Sequence, residues 1–501
     1  MVDVAFCMQK DSKEYKSVFK STFLFSFVQI IRLIVGMVRN KVAALILGPS
    51  GMGIMGVFNT TVNFIKIGAG LGIDQSAVRD VSEANGNGDR TRFSRVITLT
   101  NKIVLYTALF GFFITIILSP FLSEWGFGSK AYTVSFILLS LAVAFDIYVE
   151  NQLAILKGMR QLNSLAKASI IGSIAALITG VPLFFLFKEK GIVPSIIISA
   201  FATLVVSVYY VRKINYDKVI LKRKEVFSEG KPMITMGVSL MLVSFLAMAF
   251  NYIIIAFIRK NGGLDVIGIY TAGSTIITSY FGIVINAMTT DYYPRISAIN
   301  TDNNKLQEAV NQQSEVGLVL VLPLAVLFLY LSRFVIRILY TDEFLLAVDY
   351  TDFAMLGTII MICSRSISMV LLAKQKSKVF LTTTICLRAI SLIIYIVLYT
   401  LYGLLGLGIA YCVAGILDAV VCSFIMGRMY NIRFNKRVII NLVIILLICC
   451  STIYIRRMEG ALSFILGGVM LLLSGLYTIL YMKRVMDISL VDSFKSRILK
   501  K

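Results

Sequence analysis

The chain has 501 residues, 58% of them hydrophobic, and a mean hydropathy of +0.84, which excludes an ordinary soluble globular protein. Its 49 Lys and Arg against 27 Asp and Glu give a formal charge of +22, but the bases stand mostly between apolar runs, where positive-inside topology accounts for them without a nucleic-acid partner. There is no His, and the seven Cys lack framework spacing, so His relays, triads and most metal sites are excluded.

Apolar runs near the length that spans a bilayer, about 20 residues, recur along the chain. The polar start, Met1 to Tyr15, carries no cleavable signal pattern, and the run beginning near Phe19 is too long for a signal core. Fourteen segments are expected, at 20–46, 51–75, 94–122, 131–156, 166–187, 192–211, 232–258, 266–290, 314–337, 350–373, 379–401, 406–427, 438–455 and 460–482. Six cysteines (Cys363, Cys386, Cys412, Cys422, Cys449 and Cys450) fall in or beside them and read as small core residues.

With the N-terminus placed in the cytoplasm, the inside segments hold 33 Lys and Arg and the outside loops 7, among them Arg456 and Arg457. That asymmetry puts both termini inside. The densest basic stretch, Arg212 to Lys231, reads as a linker between two lobes. The expected organisation is an N-terminal six-helix lobe (1–211), a basic cytoplasmic linker (212–231), a C-terminal six-helix lobe (232–430), and two additional helices with a basic tail (431–501). Ile54-Met55-Gly56-Val57-Phe58 matches Val266-Ile267-Gly268-Ile269-Tyr270, and each second helix exits to a polar loop beginning at Arg79 or Arg295. Those loops carry turn-prone Asn85-Gly86-Asn87-Gly88 and Asp302-Asn303-Asn304. The fold class is thus an all-α polytopic membrane protein of two parallel-repeat lobes plus two C-terminal helices, with a cavity between the lobes near the bilayer midplane.

Charges inside spans cost about 3 kcal/mol each at a helix centre, so they carry the functional signal. Arg32, Arg39 and Lys41 lie in the first span, Lys66 and Asp74 in the second, Asp146 and Glu150 in the fourth, Arg365 in the tenth and Arg388 in the eleventh. Arg32 and Arg39 share a helix face, as do Asp146 and Glu150. Lys41 and Arg388 read as snorkelling to an interface. The bland alternative pairs acids with bases as structural bridges. The excess of Arg32, Arg39, Lys66 and Arg365 over Asp146 and Glu150 points instead to a positive cavity for an anionic cargo, since guanidinium forks suit phosphate. Asn59, Thr60, Thr61, Asn63, Ser274, Thr275, Thr278 and Ser279 either line that cavity or pack helices together. Gly48-Pro49-Ser50-Gly51-Met52-Gly53 lacks the Lys-Ser/Thr of a phosphate-binding loop and reads as a tight turn.

Leu47-Gly48-Pro49-Ser50-Gly51-Met52-Gly53-Ile54, with Ile67-Gly68-Ala69-Gly70-Leu71-Gly72-Ile73, resembles the Wzx-type O-antigen flippases, polysaccharide exporters of the multidrug/oligosaccharidyl-lipid/polysaccharide (MOP) superfamily. The resemblance covers about residues 16 to 430. It implies a V-shaped pair of six-helix lobes that moves undecaprenyl-pyrophosphate-linked repeat units, as in lipopolysaccharide synthesis, from the inner to the outer leaflet of the bacterial cytoplasmic (inner) membrane. The polysaccharide polymerase machinery becomes a candidate partner. Against the related lipid II flippases, Arg39 and Asn40 fall where an Arg-Asp pair stands, and Lys66 near a basic position; Asn40 lacks the acid's charge. The two additional C-terminal helices occur in lipid II flippases, while many Wzx proteins lack them.

The expected mechanism is alternating access, with Arg32, Arg39, Lys66 and Arg365 on the pyrophosphate and Asp146, Glu150 and Asp74 as candidates for ion coupling. No enzyme activity, metal or cofactor is called for. The alternative is a cation-coupled multidrug exporter of the same superfamily, which would want an acidic cavity. A membrane-embedded glycan polymerase or ligase would want a larger outside loop than any here.

Overall fold

A computed structural model describes residues 2–86, 90–159, 161–214, 216–217, 219–282, 292–293, 295–458 and 460–485, with side chains from Val28 to Lys483 apart from Leu162, Val243 and Ser377. Asn87, Gly88 and the tail from 486 onward lie outside the described residues. Those described form helices and short connections, with no strand among them. This is the arrangement hydrocarbon imposes, because a helix satisfies its own backbone polar groups. The chain divides by internal packing into two compact units, Met1–Gly268 and Ile269–Lys501. The basic stretch Arg212–Lys231 lies wholly within the first unit, and so does the helix arm that follows it.

The first unit opens with α1 (Val2–Gly70), which contains a non-helical Gly48 at φ 65°, ψ −172° followed by Pro49. A positive φ suits glycine, and proline withholds a backbone donor, so the expected tight turn breaks one long helix into two arms. Leu71 and Gly72, also at positive φ, then start α2 (Ile73–Gly86). α2 was expected as part of a polar loop. It is amphipathic, burying Ile73, Ala77, Val81 and Ala84 at helical spacing, and Gly158 lets α4 close on Val81. After it come α3 (Arg90–Phe127), α4 (Thr133–Gly158), α5 (Leu162–Phe187) and α6 (Ile192–Arg212). α7 (Arg223–Thr275) breaks at Gly263, φ 78°, ψ −173°, nearly repeating the dihedrals of Gly48.

The two breaks meet. A Cβ on Gly53 would lie 2.0 Å from the Leu264 carbonyl oxygen, and one on Gly268 2.0 Å from that of Pro49. One step along the chain therefore relates Gly48 to Gly263, Pro49 to Leu264 and Gly53 to Gly268. That register differs by three residues from the expected pairing of Gly56 with Gly268.

The second unit contains α8 (Asn303–Leu339), α9 (Ala347–Ala373), α10 (Ser377–Tyr430, broken at Gly403), α11 (Lys436–Arg457) and α12 (Ala461–Val485). Tyr292, Leu306, Val310, Ile367 and Met426 belong to one of its buried clusters. Asp302 caps α8 by accepting from the Asn304 and Lys305 amides at 3.0 and 3.2 Å, which holds its carboxyl below the usual range. A depressed carboxylate contributes stability above its unfolded pKa, about 3.9, and loses it as pH falls through the folded value. Asp302→Ala at neutral pH should lower the protection of the Asn304 and Lys305 amides against hydrogen exchange. The difference from wild type, measured at one pH at a time, should shrink as pH falls through the Asp302 pKa.

Arg456, expected among the outside-loop charges, is instead buried. Its guanidinium donates to both Asp352 carboxylate oxygens (2.8 and 2.5 Å), to the Leu329 carbonyl (2.9 Å) and to Ser332 Oγ. The side chains are 7% and 0% exposed. Elsewhere Thr478 donates to the Val319 carbonyl, Tyr330 to that of Ser463, and Asn311 bonds Arg433 and Asn435. α11 and α12 are thus built into the second unit rather than appended to it.

Among the described residues, eight helical segments are long and apolar enough to cross a membrane, and a ninth, Arg223–Leu242 with Ser244–Phe281, is bent by 41°. Two of them, Asn163–Arg212 and Lys378–Tyr430, each take in two expected spans. The architecture is a multi-pass helical membrane protein; the number fourteen is not established by these helices.

Candidate functional site

In the first unit the second arm of α1, the start of α2, and parts of α3, α4 and α7 surround a cavity of about 260 Å³. Asn63, Lys66, Asp74, Gln75, Glu150 and Ser244 supply its polar lining. Lys66 Nζ stands 3.4 Å from Glu150 Oε1, with side chains 20% and 42% exposed. Asp146, one turn before Glu150 on α4, lies within electrostatic reach of Lys66 and Glu150; Asp74 lies within reach of Glu150 and Lys157. Opposite charges at this depth offset each other's desolvation and leave groups that can exchange partners.

A smaller cavity of about 100 Å³ lies between α1, α4 and α5, lined by Gln29, Arg32, Glu150, Lys157 and Ser169 among others. Glu150 therefore borders both spaces, with Lys66 in one and Arg32 and Lys157 in the other. Lys157 was expected only as a loop charge. Its place seven residues after Glu150 puts both on one face of α4, a spacing readable from the sequence.

Close glycine contacts stand at both ends of the seam of α1 with α7, and the larger cavity lies beside the second of them. At one end stand Gly53 against Leu264 and Gly268 against Pro49. At the other, a Cβ on Gly72 would lie 2.2 Å from the Gly237 carbonyl oxygen, and one on Gly237 2.5 Å from that of Leu71. Between them Phe64 of α1 stacks on Phe245 and Tyr252 of α7 at 5.0 and 5.2 Å. Only glycine permits these approaches.

The other expected bases stand elsewhere. Arg39 lines neither cavity; its Nε is buried without a hydrogen-bond partner and lies 3.8 Å from where a Cβ on Gly180 of α5 would be. Arg365 is exposed on α9 of the second unit, within electrostatic reach of Asp418, as is Arg388. Of the four bases expected on the cargo, Lys66 lines the larger cavity and Arg32 the smaller. Among the small polar residues Asn63 faces the cavity, whereas Thr61, Thr275 and Thr278 bond back to carbonyls one turn earlier. No group of three or more Cys, Asp or Glu suited to a metal ion occurs among the described residues.

The fold is shared with solved transporters. The lipid II flippase MurJ, in an inward closed conformation, superposes with a TM-score of 0.70 at 15% identity, covering 93% of this chain and all of that one. An inward-facing multidrug resistance MATE family transporter of the MOP superfamily gives 0.61 at 17% identity, over 82% of this chain and 98% of that one. In sequence, a candidate O-antigen transporter of Shigella flexneri is 26% identical over 412 residues, 78% of this chain and 93% of the relative. A profile described as polysaccharide biosynthesis protein matches residues 42–349. The chain belongs to that family of polysaccharide biosynthesis proteins.

Proposed function

We propose that the protein is a flippase that carries an undecaprenyl-pyrophosphate-linked oligosaccharide, an O-antigen or related repeat unit, from the inner to the outer leaflet of the bacterial cytoplasmic membrane. The observation that carries the reading is a charged cavity inside an apolar helical body, beside a seam of α1 with α7 that close glycine–backbone contacts hold at both ends. Opening and closing such a seam is what alternating access requires. In this reading the cargo pyrophosphate draws Lys66 away from Glu150, with Arg32 and Lys157 on the far side of Glu150 taking up the released carboxylate. Asp146, Glu150 and Asp74 form the ion-coupling group, both termini face the cytoplasm, and a polysaccharide polymerase receives the product. Arg39 lines neither cavity of the first unit and Arg365 belongs to the second unit, and both are second-rank cargo contacts.

The test is binding of undecaprenyl-pyrophosphate oligosaccharide to purified protein. A charge-assisted hydrogen bond is worth about 1.5–3 kcal/mol, so Lys66→Ala should weaken binding at least about tenfold, while Arg39→Ala should change it less than about twofold. Equal affinity in Lys66→Ala and wild type would remove Lys66 from the site. A second reading has one observation in its favour: Asp74 and Glu150 outnumber Lys66 around the larger cavity, which suits a cationic compound in a multidrug exporter. Binding of cationic dyes that Glu150→Gln abolishes, with no binding of the lipid-linked glycan, would select that reading.

A further inference from the structure

The chain contains one tryptophan, and the charged cavity does not use it. Trp125 lies near the end of α3 with Phe121 and Glu124. The three occupy positions i, i+3 and i+4 of one helix face and border a shallow, open groove. Trp125 and Phe121 are 42% and 55% exposed, with ring centroids 5.2 Å apart at 67°. Glu124 is exposed beside them.

The platform is held in place. Ser123 donates to the Ser129 carbonyl and accepts from the Tyr132 amide, and the Gly128 amide donates to the Glu124 carbonyl. The groove is also tied to the pinched seam. Trp125 packs edge-on against Tyr252 at 5.5 Å, and Tyr252 stacks on Phe64, which stacks on Phe245. Gly126 rests on Val57, four residues past Gly53, so the groove stands at the end that the charge distribution assigns to the outside.

We propose that Phe121, Glu124 and Trp125 form a saccharide subsite that takes a pyranose ring of the cargo glycan as it leaves the cavity. The inference rests on the oligosaccharide reading above and names a second contact for the same cargo. A pyranose presents an apolar C–H face, which an aromatic ring covers, and a rim of hydroxyl donors, which a carboxylate accepts. Rings with an acid on the same helix face match both. A tryptophan that merely anchors in the headgroup region needs no carboxylate one residue away, and an acyl chain would leave Glu124 desolvated without a partner.

Because Trp125 is the sole tryptophan, its emission reports this groove alone. The experiment uses full-length protein in lipid nanodiscs, titrated with free di- and trisaccharides of glucose, galactose, mannose, rhamnose and N-acetylglucosamine. The expected result is a saturable change in emission with at least one of them, its half-point raised about tenfold or more in Glu124→Gln and in Phe121→Ala. Both variants retain the reporter. No response to any saccharide, with strong quenching by brominated phospholipid, would overturn the subsite and make Trp125 a membrane anchor. Binding of undecaprenyl-pyrophosphate oligosaccharide is measured on the same samples. If that cargo binds wild type and Glu124→Gln equally, the subsite falls and the flippase reading stands. If it binds neither, the reading falls too, and the subsite with it.

Discussion

Gly53→Ala and Gly268→Ala should each part the seam of α1 and α7 at the Gly48 end, and Gly237→Ala should part it at the end beside the larger cavity. A Cβ placed 2.0 Å from a carbonyl oxygen, or 2.5 Å in the case of Gly237, lies well inside the C···O contact distance of about 3.3 Å. Backbone atoms cannot rotate away as a flexible side chain would, so the two arms must separate. The measurement is labelling of Asn63→Cys, in an otherwise cysteine-free background, by a membrane-impermeant maleimide applied from either face. Each outer-end variant should raise labelling from one face about tenfold over the background, and Gly237→Ala should raise it from the opposite face. All three should slow transport, because a carrier that cannot shut one end cannot complete its cycle. Folded variants that label like the background, or three that label from the same face, would show that these contacts are packing and not gates.

The second large effect concerns Arg456 and Asp352. Truncating either leaves its partner charged and buried, at a cost of about 3–5 kcal/mol, which for a unit of this size lowers the midpoint of thermal unfolding by about 10 °C. Replacing both (Asp352→Asn with Arg456→Met) stays close to the original volume and removes both charges, so much of the loss should return. A thermal shift assay on the purified protein compares the three. Single variants that melt with wild type would mean that water already reaches the pair.

Much of this was legible in the sequence. The long apolar runs and the Gly48-Pro49 turn announced themselves, because each depends on residues adjacent in the chain. The family resemblance rested on the same stretch. The break at Gly263 was harder to see: Asn261-Gly262-Gly263 has no proline to mark it, and the short match around Gly56 pulled the repeat three residues out of register. α2 was passed over because a search for bilayer-length runs discards a short amphipathic helix. Lys66 and Glu150 were both picked out as costly charges, but their pairing spans 84 residues and depends on how α1 and α4 cross. Arg39 shows the same limit from the other side. Helical spacing put it on the face of Arg32, yet the approach of α5 at Gly180 determines what surrounds it. Arg456 looked like a loop charge because it ends an apolar run, and its partner Asp352 stands only two residues inside an expected span.

The Arg456–Asp352 clamp also bears on how the protein is made. Asp352 emerges from the ribosome 104 residues ahead of the guanidinium that neutralises it. Until α11 follows, α9 enters the bilayer with an acid in its wall and the pocket between Leu329 and Ser332 empty. Chains that end before residue 456 should therefore carry an unneutralised Asp352 and turn over faster than the full-length protein.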